Sequence, residues 1–411
     1  MIQCFILTKL WEINDRMINF DFDKQCYGCR ACENVCNLNA IRMQTNVEGF
    51  FVPVVNMDLC VECKLCEKVC PKLTESSVAS QNVNDVIVSA YRKEQSHYKE
   101  YTSSGIFNEL AKQVINNGGM VCGCVWNEKM VAEHILTDKI EDIARMSYSK
   151  YVQSDMKSCY KETKQALKAG RKVLFSGTPC QIAALKKYME VEYPNLFTIA
   201  IVCHGTPSPQ VWRMYKEKLE SEVKAKMIKA NFRYKGKYGW ITPFSYYEFD
   251  NGTIIEKLSF TEDPYVIAFG ADILHRNTCY HCKYKGSLSG ADIVTGDFWG
   301  CSTKLLSKSR NKGISAVIIH TEKGKKLLDT LKDSFVIDKS TSEKMSAENK
   351  PAFSPVKYNP VREQFYKNYE ENHNLDYMYG MFNRRKYKVK RIMYKLSIFE
   401  ILKRIKYIVK H

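Results

Sequence analysis

Two short stretches, CYGCRACENVC at residues 26–36 and CVECKLCEKVCP at residues 60–71, share one arrangement of cysteines. In each stretch, the first three cysteines are separated by two residues, and a fourth follows after three more. Thiolates are soft ligands that suit zinc, copper(I) and iron–sulfur clusters. Structural zinc sites usually take one C-x2-C pair from each side of the metal. Three closely spaced thiolates on one loop therefore favour an iron–sulfur cluster, with zinc as the alternative.

The spacing is that of bacterial ferredoxins, in which the fourth cysteine of each run binds the cluster of the other run. The sequence thus predicts two 4Fe-4S clusters with crossed ligands. One set is Cys26, Cys29, Cys32 and Cys70, and the other is Cys60, Cys63, Cys66 and Cys36. Pro71 follows the second run as it does in ferredoxins, whereas Asn37 stands at that place after the first.

The composition of the 411-residue chain is that of a globular protein, with 45% hydrophobic and 26% charged residues. It has no apolar run of about 18 residues and no secretory signal, so we expect a cytoplasmic protein. In a reducing compartment, seventeen cysteines favour metal or redox sites over disulfides. Met17 is a second candidate start, so residues 1–16 are interpreted as a dispensable extension.

The pattern changes along the chain. The stretch 74–85 is polar and predicts a linker. From about residue 86, strand patterns alternate with helical patterns, which predicts a sheet with helices packed against it. Aromatic residues and turn signals over 230–300 predict β-rich structure, with a β-hairpin at Asn251–Gly252. The predicted divisions are an N-terminal extension, a ferredoxin domain, a larger α/β domain and a C-terminal region, at residues 1–16, 17–80, 81–350 and 351–411.

The last stretch, 384–411, is strongly basic. It holds eleven Lys and Arg against one Glu, so that it carries +10 of the formal charge of +17. Its apolar residues recur at roughly helical spacing, which predicts a basic amphipathic helix. Such a helix would bind an anionic surface at the inner membrane face or an acidic partner, or it would fold back on the domain as a solvated helix. No nucleic-acid-binding motif accompanies the charge, so nucleic acid is not expected as a partner.

Four further cysteines follow predicted strand ends or form a C-x2-C pair, and they would converge at one edge of a sheet. These are Cys180 in SGTPCQ, Cys203 in VCHGTPSP, and Cys279 and Cys282 in RNTCYHCKYKG. Spacing alone leaves open a third 4Fe-4S cluster, zinc, unrelated thiols, or a redox nucleophile at Cys180. His204 and His281 lie beside these cysteines as candidate proton donors or as bystanders. The remaining cysteines are interpreted as structural: Cys4, Cys122, Cys124, Cys159 and Cys301.

The commonest nucleotide-binding loops are absent from the sequence. Three other stretches offer polar groups instead: YTSSGIF at 101–107, SKYVQSD at 149–155 and GADIVTGDFWG at 290–300. The first leads into a helix, where exposed amides and hydroxyls suit a pyrophosphate or simply cap the helix. In the third, Asp297 would bind a ribityl chain or backbone amides, beside Phe298 and Trp299.

The motifs TSSG, SKYVQS, SGTPCQIAAL, CHGTPSPQVW, CYHCKYKG and DIVTGDFWG together resemble the family of coenzyme F(420) hydrogenase/dehydrogenase beta subunits, over roughly residues 20–300. The resemblance implies an α+β or α/β fold: a ferredoxin-like module with two 4Fe-4S clusters, a mixed α/β flavin-binding domain, and the basic helical tail. It also implies that Cys180, Cys203, Cys279 and Cys282 hold a third cluster. The implied FAD contacts are Ser103, Ser104, Gly105, Lys150, Gln153, Thr178 and Asp297.

The resemblance implies an iron–sulfur flavoprotein oxidoreductase. Electrons would pass between a ferredoxin-like or other redox partner and FAD, and a small organic substrate would be reduced or oxidised. Some members of the family are associated with surface-polysaccharide synthesis, and nothing in the sequence identifies the deazaflavin coenzyme as the substrate. The alternatives are a non-catalytic electron-transfer subunit that docks on a separate enzyme, and a zinc-bearing binding module.

Overall fold

The computed structural model describes residues 18, 20–74, 85–382 and 385–395. The predicted extension 1–16, nearly all of the predicted linker and the last sixteen residues of the basic tail lie outside these ranges.

The N-terminal module is built around a two-stranded antiparallel hairpin of β1 (Ile41–Thr45) and β2 (Phe51–Val55). Three short helices surround the hairpin: α1 (Phe22–Gln25), α2 (Ala31–Val35) and α3 (Leu65–Lys68). Each cysteine run turns through left-handed backbone and then enters a short helix, α2 in the first run and α3 in the second.

The larger part of the chain contains an eight-stranded mixed sheet in the order β13-β3-β12-β11-β7-β6-β4-β5. Its middle strands β11, β7, β6 and β4 are parallel, and the remaining pairs are antiparallel. The strands are β3 (Val86–Arg92), β4 (Met120–Trp126), β5 (Ala132–Thr137), β6 (Val173–Gly177), β7 (Leu196–Ile201), β11 (Ile293–Asp297), β12 (Ser315–Ile319) and β13 (Phe335–Lys339). The alternating strands and helices predicted from residue 86 are thus confirmed.

A smaller antiparallel sheet consists of β8 (Met227–Tyr234), β9 (Phe244–Phe249) and β10 (Ile254–Leu258). The hairpin predicted at Asn251–Gly252 joins β9 to β10 and is confirmed. The β-rich prediction for 230–300 is wrong over 259–289, where the chain forms short helices. Asp263 starts one of them by accepting the backbone N–H groups of Tyr265 and Val266, with Pro264 at the first helical position.

Helices cover both faces of the large sheet. Along β6, Leu174 and Phe175 point to opposite faces and belong to two separate apolar cores. The helices that follow the N-terminal module are α4 (Ile106–Asn116), α5 (Asp142–Met146), α6 (Cys159–Lys168), α7 (Pro179–Met189), α8 (Pro209–Val223), α9 (Ser259–Glu262), α10 (Pro264–Gly270), α11 (Thr303–Lys308), α12 (Glu322–Asp329), α13 (Ser342–Glu348), α14 (Val361–Asn372), α15 (Asp376–Phe382) and α16 (Arg385–Lys395).

The N-terminal module shares a core with one face of the sheet. Tyr27, Cys29 and Val69 pack into the same apolar cluster as Phe175 and residues of α6 and α7. The module is therefore packed against the body of the protein along the face that carries Cys180. Within the part of the chain that the structure describes, no helix combines the length and the apolar character needed to span a membrane.

Candidate iron–sulfur and cofactor site

The first group of cysteines, the inner site, lies where the N-terminal module meets the body. One small cavity there is lined by cysteines of both runs: Cys26, Cys29, Cys32 and Cys70. Burial raises the pKa of the Cys29 thiol far above its ordinary value, and the nearby Cys70 raises it further. Cys70 thus lies beside the cysteines of the first run, which is the position that the crossed pairing predicts.

The second group, the outer site, comprises Cys36, Cys60, Cys63 and Cys66. Cys36 and Cys60 pack against the buried Cys66 in a small apolar cluster with Ile41. Burial raises the pKa of Cys66 to about 11, and Cys63 adds a smaller contribution. Of the twelve cysteines predicted as ligands, Cys63 alone is exposed. The outer site therefore faces solvent, whereas the inner site faces the body.

The third group, the body site, comprises Cys180, Cys203, Cys279 and Cys282. Cys180 lies in the first turn of α7, Cys203 follows β7, and the other two lie on or just after the short turn Asn277–His281. Burial raises the pKa of Cys180, and Cys282, Cys203 and Cys279 each raise it further, so the four thiols are neighbours. The structure thus brings together the three loops that the sequence singled out.

The segment that carries two cysteines of the body site also binds the inner site. The carbonyl oxygen of Cys26 accepts hydrogen bonds from Arg276 Nε and from Thr278 Oγ1, each at 2.5 Å. Two residues beyond Cys282, the Tyr284 hydroxyl donates to the carbonyl oxygen of Pro71. The inner site and the body site are therefore neighbours, joined through a few hydrogen-bonded residues.

A large cavity of about 1190 Å³ opens on the other side of the body site. Cys203 and the adjacent His204 line it, as does Thr178, whose hydroxyl lies 3.2 Å from Cys180 Sγ. Ligand pockets commonly measure about 300–1,000 Å³, so this cavity has room for a dinucleotide cofactor together with a small substrate. Because Cys203 itself lines the cavity, the cavity lies directly beside the body site.

Of the predicted FAD contacts, five line this cavity: Ser103, Gly105, Lys150, Thr178 and Asp297. Gly105, with φ of +78°, leads into α4, so the N-terminus of that eleven-residue helix opens on the cavity. Lys150 Nζ donates to the carbonyl oxygens of Arg145 and Tyr148, and burial lowers its pKa to about 8. Both oxygens of Asp297 have partners, because Oδ1 accepts from Trp240 Nε1 and Oδ2 lies 2.9 Å from Arg233.

Two predicted FAD contacts lie elsewhere. Gln153 points toward the N-terminal module, where its amide donates to the carbonyl oxygens of Tyr27 and Gly28. Ser104 Oγ is 2.6 Å from Ser315 Oγ, so this hydroxyl links the turn before α4 to β12 and neither lines the cavity nor caps the helix. Both side chains are buried and hydrogen-bonded within the protein. The residues next to Ser104 and Gln153 in the sequence do line the cavity, so the two motifs lie at the cavity although these two side chains do not.

His204, Asp272 and His275 form a close group at the edge of the cavity. Asp272 Oδ1 lies 2.7 Å from His204 Nε2 and 3.3 Å from His275 Nε2. Although burial raises the pKa of Asp272, hydrogen bonds from the two histidines outweigh it and lower the pKa to about 2. The sequence indicated His204 but not its carboxylate partner, because Asp272 and His204 are distant along the chain.

The residues fit the groups that the motifs imply. Each of the three cysteine groups offers four thiols, and soft thiolates are the ligands of iron–sulfur clusters. The cavity wall includes His134, a buried side chain whose Nδ1 has no hydrogen-bond partner in the protein. Its Nε2 donates to the carbonyl oxygen of Ser176, which leaves Nδ1 as an acceptor for a bound molecule. This orphaned acceptor and the open end of α4 suit a polar cofactor such as FAD.

Comparisons with known proteins agree with these motifs. Residues 25–73 match the 4Fe-4S dicluster domain, and residues 170–344 match the C terminus of the beta subunits of coenzyme F(420) hydrogenase/dehydrogenase. The F(420)H(2) dehydrogenase of Methanosarcina mazei has a subunit, designated F, that is 24% identical over 328 residues, which is 76% of this chain and 84% of that protein. The ferredoxin-type protein NapF of Haemophilus influenzae is 42% identical over 43 residues, or 10% of this chain and 24% of that protein.

Among solved structures, a chain of the F(420)-reducing NiFe hydrogenase complex from Methanosarcina barkeri matches 65% of this chain with a TM-score of 0.43 and 17% identity, covering 87% of that chain. The two domain matches and the shared motifs support a protein like the beta subunits of coenzyme F(420) hydrogenase/dehydrogenase, with an N-terminal 4Fe-4S domain.

Proposed function

We propose that the protein is an iron–sulfur flavoprotein oxidoreductase that moves electrons between an external redox partner and FAD in the large cavity, where a small organic substrate reacts. In this proposal the inner, outer and body sites each hold one 4Fe-4S cluster through the four cysteines already named. FAD would supply the exchange between two-electron chemistry at the substrate and one-electron steps at the clusters.

The observation that carries the proposal is the contiguity of the three sites and the cavity. Thr278 binds the carbonyl oxygen of Cys26 in the inner site, while the next residue, Cys279, belongs to the body site. Cys203 of the body site lines the cavity. Electrons entering at the exposed outer site would thus meet the inner site, the body site and the cavity in that order.

The chain's own side chains have separate tasks in the cavity. The backbone N–H groups at the start of α4 would bind a phosphate, because they carry the positive end of the helix dipole. Arg233 lies 4.5 Å from the centre of the Trp299 ring, which stacks on Trp240, so these side chains form a rigid wall. His204 faces the cavity and is oriented by Asp272, so it can hold a proton at a defined place beside the substrate.

The test is anaerobic purification followed by quantification of iron, acid-labile sulfide and flavin per chain. We expect about twelve irons and about one FAD, as three 4Fe-4S clusters require. Cys180→Ser should lose about four irons, whereas Cys122→Ser, a buried cysteine of β4 outside the three sites, should keep them all. About eight irons in the unaltered protein would rule out a cluster at the body site. Zinc without sulfide would rule out the proposal altogether.

A second function is a non-catalytic electron-transfer subunit of a larger redox complex. It is favoured by the M. mazei relative, whose name makes it one subunit of an F(420)H(2) dehydrogenase. Steady-state assays with a chemical reductant distinguish the two. A stand-alone enzyme turns over a small electron acceptor through its flavin, whereas a protein that only transfers electrons shows reversible bleaching of its clusters and no turnover.

A further inference from the structure

Arg276 is a buried cation without an anionic partner among the described residues. Its side chain is nearly inaccessible, since the residue is only 2% exposed. Nε donates to the carbonyl oxygen of Cys26, NH2 to that of Phe51 at 2.7 Å, and NH1 to Gln153 Oε1 at 3.1 Å. All three acceptors are neutral oxygens. Because burial of a charge is costly without a counter-ion, a nearby anion is needed to compensate it.

Other buried arginines of the protein are neutralised by carboxylates. Arg362, which is 3% exposed, donates from both terminal nitrogens to the two carboxylate oxygens of Glu48. Arg30 Nε lies 2.7 Å from Asp155, and Arg233 lies 2.9 Å from Asp297. Arg362 and Arg30 also bind the N-terminal module to the body. The lack of a carboxylate at Arg276 is therefore not a general property of this interface.

Lys285 repeats the arrangement at the body site. The residue is 4% exposed, and its Nζ donates to the carbonyl oxygen of Cys203. No carboxylate pairs with Lys285 in the described ranges of the chain. Each of the two buried cysteine sites thus has beside it a buried cation for which the described residues provide no carboxylate partner.

The outer site lacks such a cation among the residues that the structure describes. Its neighbouring lysines, Lys64 and Lys68, are exposed, so solvent and salt screen their charges. A cluster held by four thiolates has a net negative charge that increases on reduction, and its potential depends on the charges and the solvent around it. A buried cation stabilises the reduced form more than a solvated one does, because the effective dielectric constant is lower.

We propose that Arg276 and Lys285 are the counter-ions of the inner and body clusters and raise the reduction potentials that burial of those clusters would otherwise lower. The inference rests on the proposed function, because it requires clusters at these sites. Its consequence is that the two buried clusters can accept electrons that enter at the exposed outer site. Arg276 and Lys285 are positioning residues that act through the clusters.

The test is a redox titration of the anaerobic full-length protein monitored by electron paramagnetic resonance. In Arg276→Gln the reduced-to-oxidised ratio of one cluster at a fixed potential should fall about tenfold, a decrease of about 59 mV in its midpoint. Lys285→Gln should lower the midpoint of a different cluster in the same way. Arg276→Lys keeps the charge and should keep the midpoint near its original value. Arg362→Gln, which also alters a buried arginine of the interface, should shift no midpoint.

Iron and sulfide are measured on every variant, so that the two proposals fail in different ways. Unaltered midpoints in Arg276→Gln and Lys285→Gln at full iron content overturn the counter-ion inference and leave the clusters in place. An Arg276→Lys shift as large as that of Arg276→Gln also overturns it, because geometry and not charge would then be responsible. If Arg276→Gln does not assemble its clusters, the Lys285→Gln and Arg276→Lys results decide. A protein without iron would instead reject the proposed function.

Discussion

The two cysteine runs have the same spacing and the same backbone, yet one contains glycine where the other contains glutamate. Gly28 lies between the first two cysteines of its run with φ of +62°, and Glu62 holds the same place in the second run with φ of +50°. Two residues later, Arg30 and Lys64 again match, with φ of +63° and +59°. Both loops thus use left-handed backbone at equivalent positions.

The difference at Gly28 and Glu62 comes from what surrounds each loop. A Cβ on Gly28 would lie 2.2 Å from Gln153 Nε2 and 2.7 Å from Arg276 NH1. Glu62 is exposed, so its side chain extends into solvent. The backbone shape is common to the cysteine spacing, whereas glycine is required only where the body packs against the loop. Two equal motifs therefore have unequal surroundings, one buried and one accessible.

The largest expected effect concerns the ion pairs of the N-terminal module. Asp155 of the body pairs with Arg30 in the inner loop, and both side chains are largely buried. Asp155→Ala should destabilise the protein by about 3–4 kcal/mol, because Arg30 loses two charge-assisted hydrogen bonds in a largely buried place and keeps only Glu33 as an anionic partner. Lys24→Ala, which removes the exposed partner of Asp21 and leaves the helix cap by Asp21 in place, should change stability by no more than about 0.5 kcal/mol. Urea unfolding under anaerobic conditions measures both; equal losses would contradict the difference between the buried and the exposed face.

The next effect concerns the glycine itself. Gly28→Ala should cost about 2–3 kcal/mol, from overpacking against Gln153 and from the left-handed backbone. Gly28→Ala should cost less in a Gln153→Ala background than in the unaltered protein, because the nearest clashing atom is removed. Gln153→Ala alone is the reference, since it loses the hydrogen bonds to Tyr27 and Gly28 by itself, and urea titration of all three variants gives the two costs. If Gly28→Ala costs the same in both backgrounds, packing against Gln153 does not explain the glycine.

In protein without clusters, cysteines of the outer site should react faster with an alkylating reagent than cysteines of the inner site. Cys63 is exposed, whereas Cys29 is buried, and burial raises the pKa of the Cys29 thiol well above its ordinary value. Less thiolate and less access both slow alkylation, so after iron removal by a chelator Cys63 should react about tenfold faster than Cys29, or more. Mass spectrometry of iodoacetamide-treated peptides gives the rates. Equal rates would mean that the module leaves the body when it loses iron.

The smallest expected effect is Glu62→Gly. A non-glycine residue in left-handed backbone has a conformational cost, which glycine avoids while gaining freedom in the unfolded chain. Because the Glu62 side chain is exposed, the free energy of unfolding should change by no more than about 1 kcal/mol, and the iron content should be unchanged. A loss comparable to that of Gly28→Ala would show that the two loops are equally packed, contrary to the structure.

Local patterns predicted most of the regular structure. The strands and helices from Val86 to Ile201 could be predicted because hydrophobic periodicity depends only on residues close together in the sequence. Short helices over 259–289 were missed, since aromatic residues suggested strands while an Asp-Pro start selected a helix. Gln153 was interpreted as a flavin contact, but its partners Tyr27 and Gly28 come from a distant part of the chain. Arg276 offered no sequence signal for the same reason.

Residue types and short spacings predicted two cysteine runs with a crossed pairing and a set of motifs that resemble one oxidoreductase family, and the resemblance in turn implied a third group of four cysteines. The three-dimensional arrangement was needed to show which run is buried, which cysteine faces solvent, and which cations lie beside the sites without a carboxylate. Burial and charge pairing are set by contacts between residues far apart in the chain, and spacing carries no information about them.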